Sequence, residues 1–129
     1  MLNPKLLARL TFLAVVTVTV GACASPAIEL ERGDHVVIVG NALADRMQHD
    51  GWLEAYLQTE LPDHQLVSRN HGFAGDQIDD RPRSNGFPTA GDYLSLSEAD
   101  VIFAMFGYNE SFDDDPAGFG EALSAWVDS

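Results

Sequence analysis

Hydrophobic and polar positions along this chain fall into short blocks with different periods. Val36 to Val39 are four apolar, β-branched residues in a row, with no polar position between them. Such a run predicts a strand buried on both faces of a parallel sheet. Beyond it Leu43, Met47, Leu53, Leu57 and Leu61 recur at near-helical spacing. Gly51 interrupts them, so a short first turn of helix and a longer piece, WLEAYLQTEL, are expected, with Pro62 as the stop. QLVSRN (65–70) reads as a second strand, followed by the loop HGFAGD. Residues 77–97 are rich in Pro, Gly and Asn and predict a long irregular connection with one helical turn near Asp92 to Leu96. ADVIFAMFG (99–107) predicts a third, buried strand. After it Asp115 can cap a helix that has Pro116 in its first position. Phe119, Leu123, Trp126 and Val127 would supply its apolar face.

Strand, helix, strand, loop, strand, helix is the order of an α/β layered fold. About three strands are visible, which is the N-terminal portion of a doubly wound sheet and buries little core alone. The chain therefore reads as a truncated or short member of a larger design, with its domain at 35–129 and SPAIELERGD (25–34) as a polar lead-in.

The first 24 residues read differently. Lys5 and Arg9 precede the apolar run LTFLAVVTVTVGA (10–22), with small residues after it. The run is too short for a bilayer span of roughly 20 residues and has the layout of an export signal. Cleavage after Ala24 would release a soluble protein, secreted or periplasmic. The alternative is the VGAC sequence ending at Cys23, which resembles a bacterial lipoprotein box and would give a lipid anchor at the membrane. Cys23 is the single cysteine, so a disulfide within the domain and a thiolate zinc site are excluded.

The formal net charge of -13 repels phosphate backbones and disfavours nucleic-acid partners. Beyond the signal only Arg32, Arg46, Arg69, Arg81 and Arg83 carry positive charge. The acid excess is otherwise a solubility feature. Asp113, Asp114 and Asp115 do not match a calcium loop, which needs Gly at its sixth position and Glu at its twelfth. They read as a solvated loop ending in a helix cap, and no metal or cofactor is expected. Gly40 alone makes no nucleotide-binding fingerprint.

In open α/β sheets ligands bind beyond the carboxyl ends of the strands. Three loops leave those ends, GNALAD, NHGFAGD and GYNES, and bring Asn41, Asn70, His71, Asp76, Asn109 and Glu110 to one rim. These loops resemble blocks I, II and III of the SGNH hydrolase superfamily, the GDSL-type lipases and esterases. Block I of that family is Gly-Asp-Ser-(Leu/Ile), and here it is Gly40, Asn41, Ala42, Leu43. Block II ends a strand with Asn and follows five residues later with Gly-Asp, matched by Asn70, Gly75 and Asp76. Block III is Gly-x-Asn-Asp, matched by Gly107, Tyr108, Asn109 and Glu110. The likeness covers about residues 35 to 129.

The resemblance implies a three-layer, flavodoxin-like parallel sheet and acyl transfer from an ester. In such enzymes a serine attacks the carbonyl and a histidine from a late Asp-x-x-His block takes its proton. Carried over, Gly75 and Asn109 are oxyanion donors, while Asn41, Asn70, Asp76, Tyr108 and Glu110 line the pocket rim. Two departures weigh against activity. Ala42 holds the nucleophile's position, and losing a triad nucleophile costs on the order of 10⁶-fold in rate. No Asp-x-x-His block occurs in the chain. His35, His49 and His64 read as surface or capping residues, and only His71 stands in a rim loop. Ser111 lies two residues past Asn109 with no evident base. The expectation is an exported, hydrolase-like domain of ester-hydrolase ancestry with impaired catalysis. The alternative is a non-catalytic binding or accessory module for a small ester or carbohydrate-type ligand.

Overall fold

A computed structural model describes residues 28–82 and 86–129. The proposed export signal and the Cys23 lipidation position lie outside the described residues. Three strands and four helices follow one another: β1 (His35–Gly40), α1 (Ala42–Asp50), α2 (Trp52–Glu60), β2 (Val67–Asn70), α3 (Ala90–Leu96), β3 (Val101–Met105) and α4 (Pro116–Val127). A 3-10 turn at Glu110–Asp113 precedes α4. The strands form one parallel sheet in the order β2-β1-β3, with His35 opposite Val67 and Val36 opposite Val101.

That order explains the layers. Since β2 and β3 flank β1 on opposite sides, the two crossovers run in opposite directions across the sheet. Right-handed connections then place α1 and α2 on one face and α3 on the other. Placing the first strand between the second and third is also how a flavodoxin-like sheet begins. β1 is central, and Val36, Val37, Ile38 and Val39 are all buried, as their unbroken apolar run predicts. The rest of the buried apolar core is small: Ala44, Leu66 and Ile78.

Several expectations need correction. β3 is not a buried strand: Ile102 and Ala104 are exposed and its other residues only half-buried. It pairs with β1 on one side, and among the described residues no strand covers the other. The segment after β1 is not a short turn and a long helix but two helices of nine residues each. Gly51 lies between them at φ 61 and accepts the left-handed geometry that ends α1. Leu43 is 59% exposed, so it is no part of the core despite its spacing. The single turn expected near Asp92 is a full helix, α3, whose N-terminus is fixed by reciprocal bonds between Thr89 and Asp92. Asp115 does cap α4, accepting from the Gly118 N–H at 3.0 Å. Val127, expected on its apolar face, is instead 69% exposed.

The carboxyl edge of the sheet continues into its loops by backbone pairing. His71 N–H donates to Ile38 O, Phe73 N–H to Gly40 O, and Asn41 N–H to Met105 O. Gly40 makes this close approach possible. It sits at φ 145, and any Cβ there would collide with the Met105 carbonyl.

Candidate ligand site at the carboxyl edge

Asn41 follows β1 and stands at the N-cap of α1, but its side chain makes no cap bond. It is fully buried and turns across the sheet edge, donating from Nδ2 to Glu110 Oε2 at 2.9 Å. The same Glu110 oxygen accepts from the Gly107 N–H at 2.8 Å, and Oε1 accepts from the Ile78 N–H at 2.9 Å. One buried carboxyl group thus gathers donors from all three loops. Burying it is tolerable because each oxygen is satisfied.

Asn109, one residue earlier, makes a second connection. Its Nδ2 donates to Ala74 O at 2.8 Å and to Asp76 O at 2.9 Å, the two carbonyls that bracket Gly75. Asn109 and Gly75 are therefore brought together. Both amide hydrogens of Asn109 are engaged, so an oxyanion role would require a ligand oxygen to displace one carbonyl. Gly75 is exposed, and a Cβ there would meet nothing closer than the Phe73 ring at 3.6 Å. No tight turn demands glycine at this position.

Asn70 closes the third side. It donates to Ala44 O at 2.9 Å and accepts from the Gly72 N–H at 2.7 Å, so both ends of its amide fix the loop against α1. Gly72 is buried there, where a Cβ would run into Ala44. Asp76 is 4% exposed and tucked under the loop. Tyr108, in contrast, points outward and lies edge-on to Phe112, with ring centroids 5.5 Å apart.

Ala42 is the first residue of α1 and is half-buried, with only a methyl group to present. Ser111 donates its hydroxyl to Tyr108 O at 2.7 Å, a local turn contact. Asp113 and Asp114 are exposed, and among the described residues no cluster of His, Cys, Asp and Glu has the arrangement of a metal site. His35, which reads as a surface or capping residue, is the half-buried first residue of β1. Its Nδ1 lies 2.8 Å from Ser97 O, just past α3.

A cavity of about 420 Å³ opens beside these loops, between the end of the sheet and α3. Val39, Phe87, Tyr93, Leu94 and Phe106 give it apolar walls; Asn70, His71, Asp76 and Arg81 contribute polar groups. His71 Nε2 sits 2.9 Å from Ser97 Oγ, and its ring tilts against Tyr93 at 5.9 Å. The Arg81 guanidinium lies over Phe106 at 5.2 Å and near Trp126 at 6.0 Å. Of the residues read from sequence, the structure thus brings Asn70, His71 and Asp76 to the cavity. Ala42, Tyr108 and Asn109 do not line it.

Arg81, Phe87, Tyr93 and Leu94 were missed because the 77–97 segment reads as irregular. The Thr89-x-x-Asp92 spacing was the available signal, since it is the reciprocal cap that begins α3 and aims Tyr93 and Leu94 at the sheet.

The chain is an α/β protein with a parallel three-stranded sheet and its polar loops collected at the carboxyl edge. No family model, no curated protein and no solved structure matches it.

Proposed function

We propose that this is an exported, SGNH-hydrolase-like domain of ester-hydrolase ancestry that no longer performs serine-dependent hydrolysis. The observation that carries the reading is the pairing of Asn109 and Glu110 with the loops after β1 and β2. Residues placed in order by the sequence resemblance meet in space at one edge. Ala42 stands at the nucleophile's position and supplies no hydroxyl there. Gly75 and Asn109 keep the positions of oxyanion donors, each worth about 10²- to 10³-fold in a working enzyme. The test is hydrolysis of short-chain p-nitrophenyl esters by the native chain. No turnover above the buffer rate is expected, and turnover that Asn109→Ala abolishes would overturn the reading.

A second reading, ligand binding without chemistry, is favoured by the 420 Å³ cavity, a size suited to a small organic ligand. Its ligands would be small molecules of ester or carbohydrate type. Nucleic acid is disfavoured by charge, and membrane association would run only through a lipid on Cys23.

A further inference from the structure

We propose that the cavity between α3 and the sheet edge binds a small carboxylate with an apolar body, and that Arg81 receives its charged end. The inference rests on the ligand-binding reading of this edge, not on ester hydrolysis.

Apolar side chains make up much of the cavity wall. Val39, Leu94 and Phe106 line it together with Tyr93 and with Phe87, which is 66% exposed. Exposed aromatic groups facing a hollow of this size gain by covering an apolar ligand.

The sign of the ligand's charge follows from what already occupies the aromatic faces. Phe106 and Trp126 have Arg81 over them. A ligand ammonium would find those faces taken and a guanidinium opposing it. Asp76, the acidic group of the wall, is buried and offers little surface to a cation. Arg81 and His71 are both half-buried, so each keeps part of its surface toward the cavity. Stacking also holds the guanidinium plane in place, and a guanidinium has five N–H donors, enough to serve a carboxylate in addition to protein partners.

The test uses the full chain and three probes of one shape: 4-phenylbutyrate, 4-phenylbutan-1-ol and 4-phenylbutylamine, titrated by calorimetry. The carboxylate should bind at least about tenfold more tightly than the alcohol or the amine, the size of one charge-assisted bond. Arg81→Gln should remove that preference, and Phe87→Ala should weaken the carboxylate and the alcohol alike. If Arg81→Gln does not fold, the ranking on the native chain decides, with Phe87→Ala locating the site. An alcohol that binds as well as the acid, or an amine that binds better, would overturn the anion assignment while leaving a ligand site standing. No binding by any of the three would count against both this proposal and the ligand-binding reading. Ester turnover is measured separately and has no bearing on these outcomes.

Discussion

Asn41 and Glu110, 69 residues apart in the chain, meet in the interior with Asn41 Nδ2 2.9 Å from Glu110 Oε2. The contact joins the loop after β1 to the loop after β3, and Glu110 extends it to Ile78 beyond β2. Glu110 therefore ties together the loops that follow all three strands.

Removing the acid should be costly. Glu110→Ala leaves the N–H groups of Gly107 and Ile78 and the Asn41 amide without their acceptor. A loss of about 3 kcal/mol or more is expected, at the upper end for buried groups stripped of partners. Urea unfolding of the variant beside the native chain measures it.

Exchanging the pair tests its chemistry rather than its size. Asn41→Asp places two acids against each other, which opposes having both ionised. At neutral pH this variant should be less stable than the native chain by about 2 kcal/mol, with recovery as the pH falls. Adding Glu110→Gln to Asn41→Asp removes the repulsion, but the amide nitrogen that would donate to the new carboxylate then confronts the Gly107 N–H that Oε2 served. Only part of the loss should therefore return. Paired unfolding curves at pH 5 and pH 7 check both statements.

Gly40→Ala should be among the most damaging changes to the fold. The new methyl group would meet the Met105 carbonyl, in rigid backbone on the neighbouring strand. More than about 3 kcal/mol of destabilisation is expected from overpacking and backbone strain together. Gly33→Ala, also at positive φ but with open space around it, should cost only about 1 kcal/mol. Comparing the two melting temperatures separates collision from conformation.

The cap of α3 gives the chain a small acid-side sensitivity. Bonds from the Thr89 side chain and then its backbone N–H hold the Asp92 carboxyl below its ordinary value of 3.8. With the folded value depressed, the contribution is present above pH 3.8 and is lost as the pH falls through the lower, folded value. Thr89→Ala should cost about 1 kcal/mol, as N-cap losses do, and should flatten this part of the acid profile. Circular dichroism between pH 2 and pH 5 reads the change.

The central strand and the collection point of the loops were legible in the sequence for physical reasons. Four β-branched residues in a row have few stable places except a buried parallel strand, and a glycine after them marks where the chain leaves the sheet. The register of three motifs likewise predicted that Asn41, Asn109 and Glu110 would share an edge. What sequence could not supply was which partner each polar group would choose. Asn41 reads as a rim residue, and the structure turns its Nδ2 across the sheet edge onto Glu110, a partner 69 residues away that local spacing does not reveal. β3 reads as buried because its residues are apolar, yet burial depends on having a neighbour on each side. The cavity was hidden for a similar reason. Arg81, Phe87 and Tyr93 come from a stretch without hydrophobic period, and only the placement of α3 against the sheet brings them together.

Whether any hydroxyl at this edge is an activated nucleophile is the most direct question about the account. Ser97 rests against His71 at 2.9 Å, and Ser111 lies in the loop after β3. Incubation of the native chain with a fluorophosphonate, followed by intact-mass and peptide mass spectrometry, gives the answer. The account predicts an unmodified mass. A stoichiometric adduct on any serine, lost in Asn109→Ala, would contradict it.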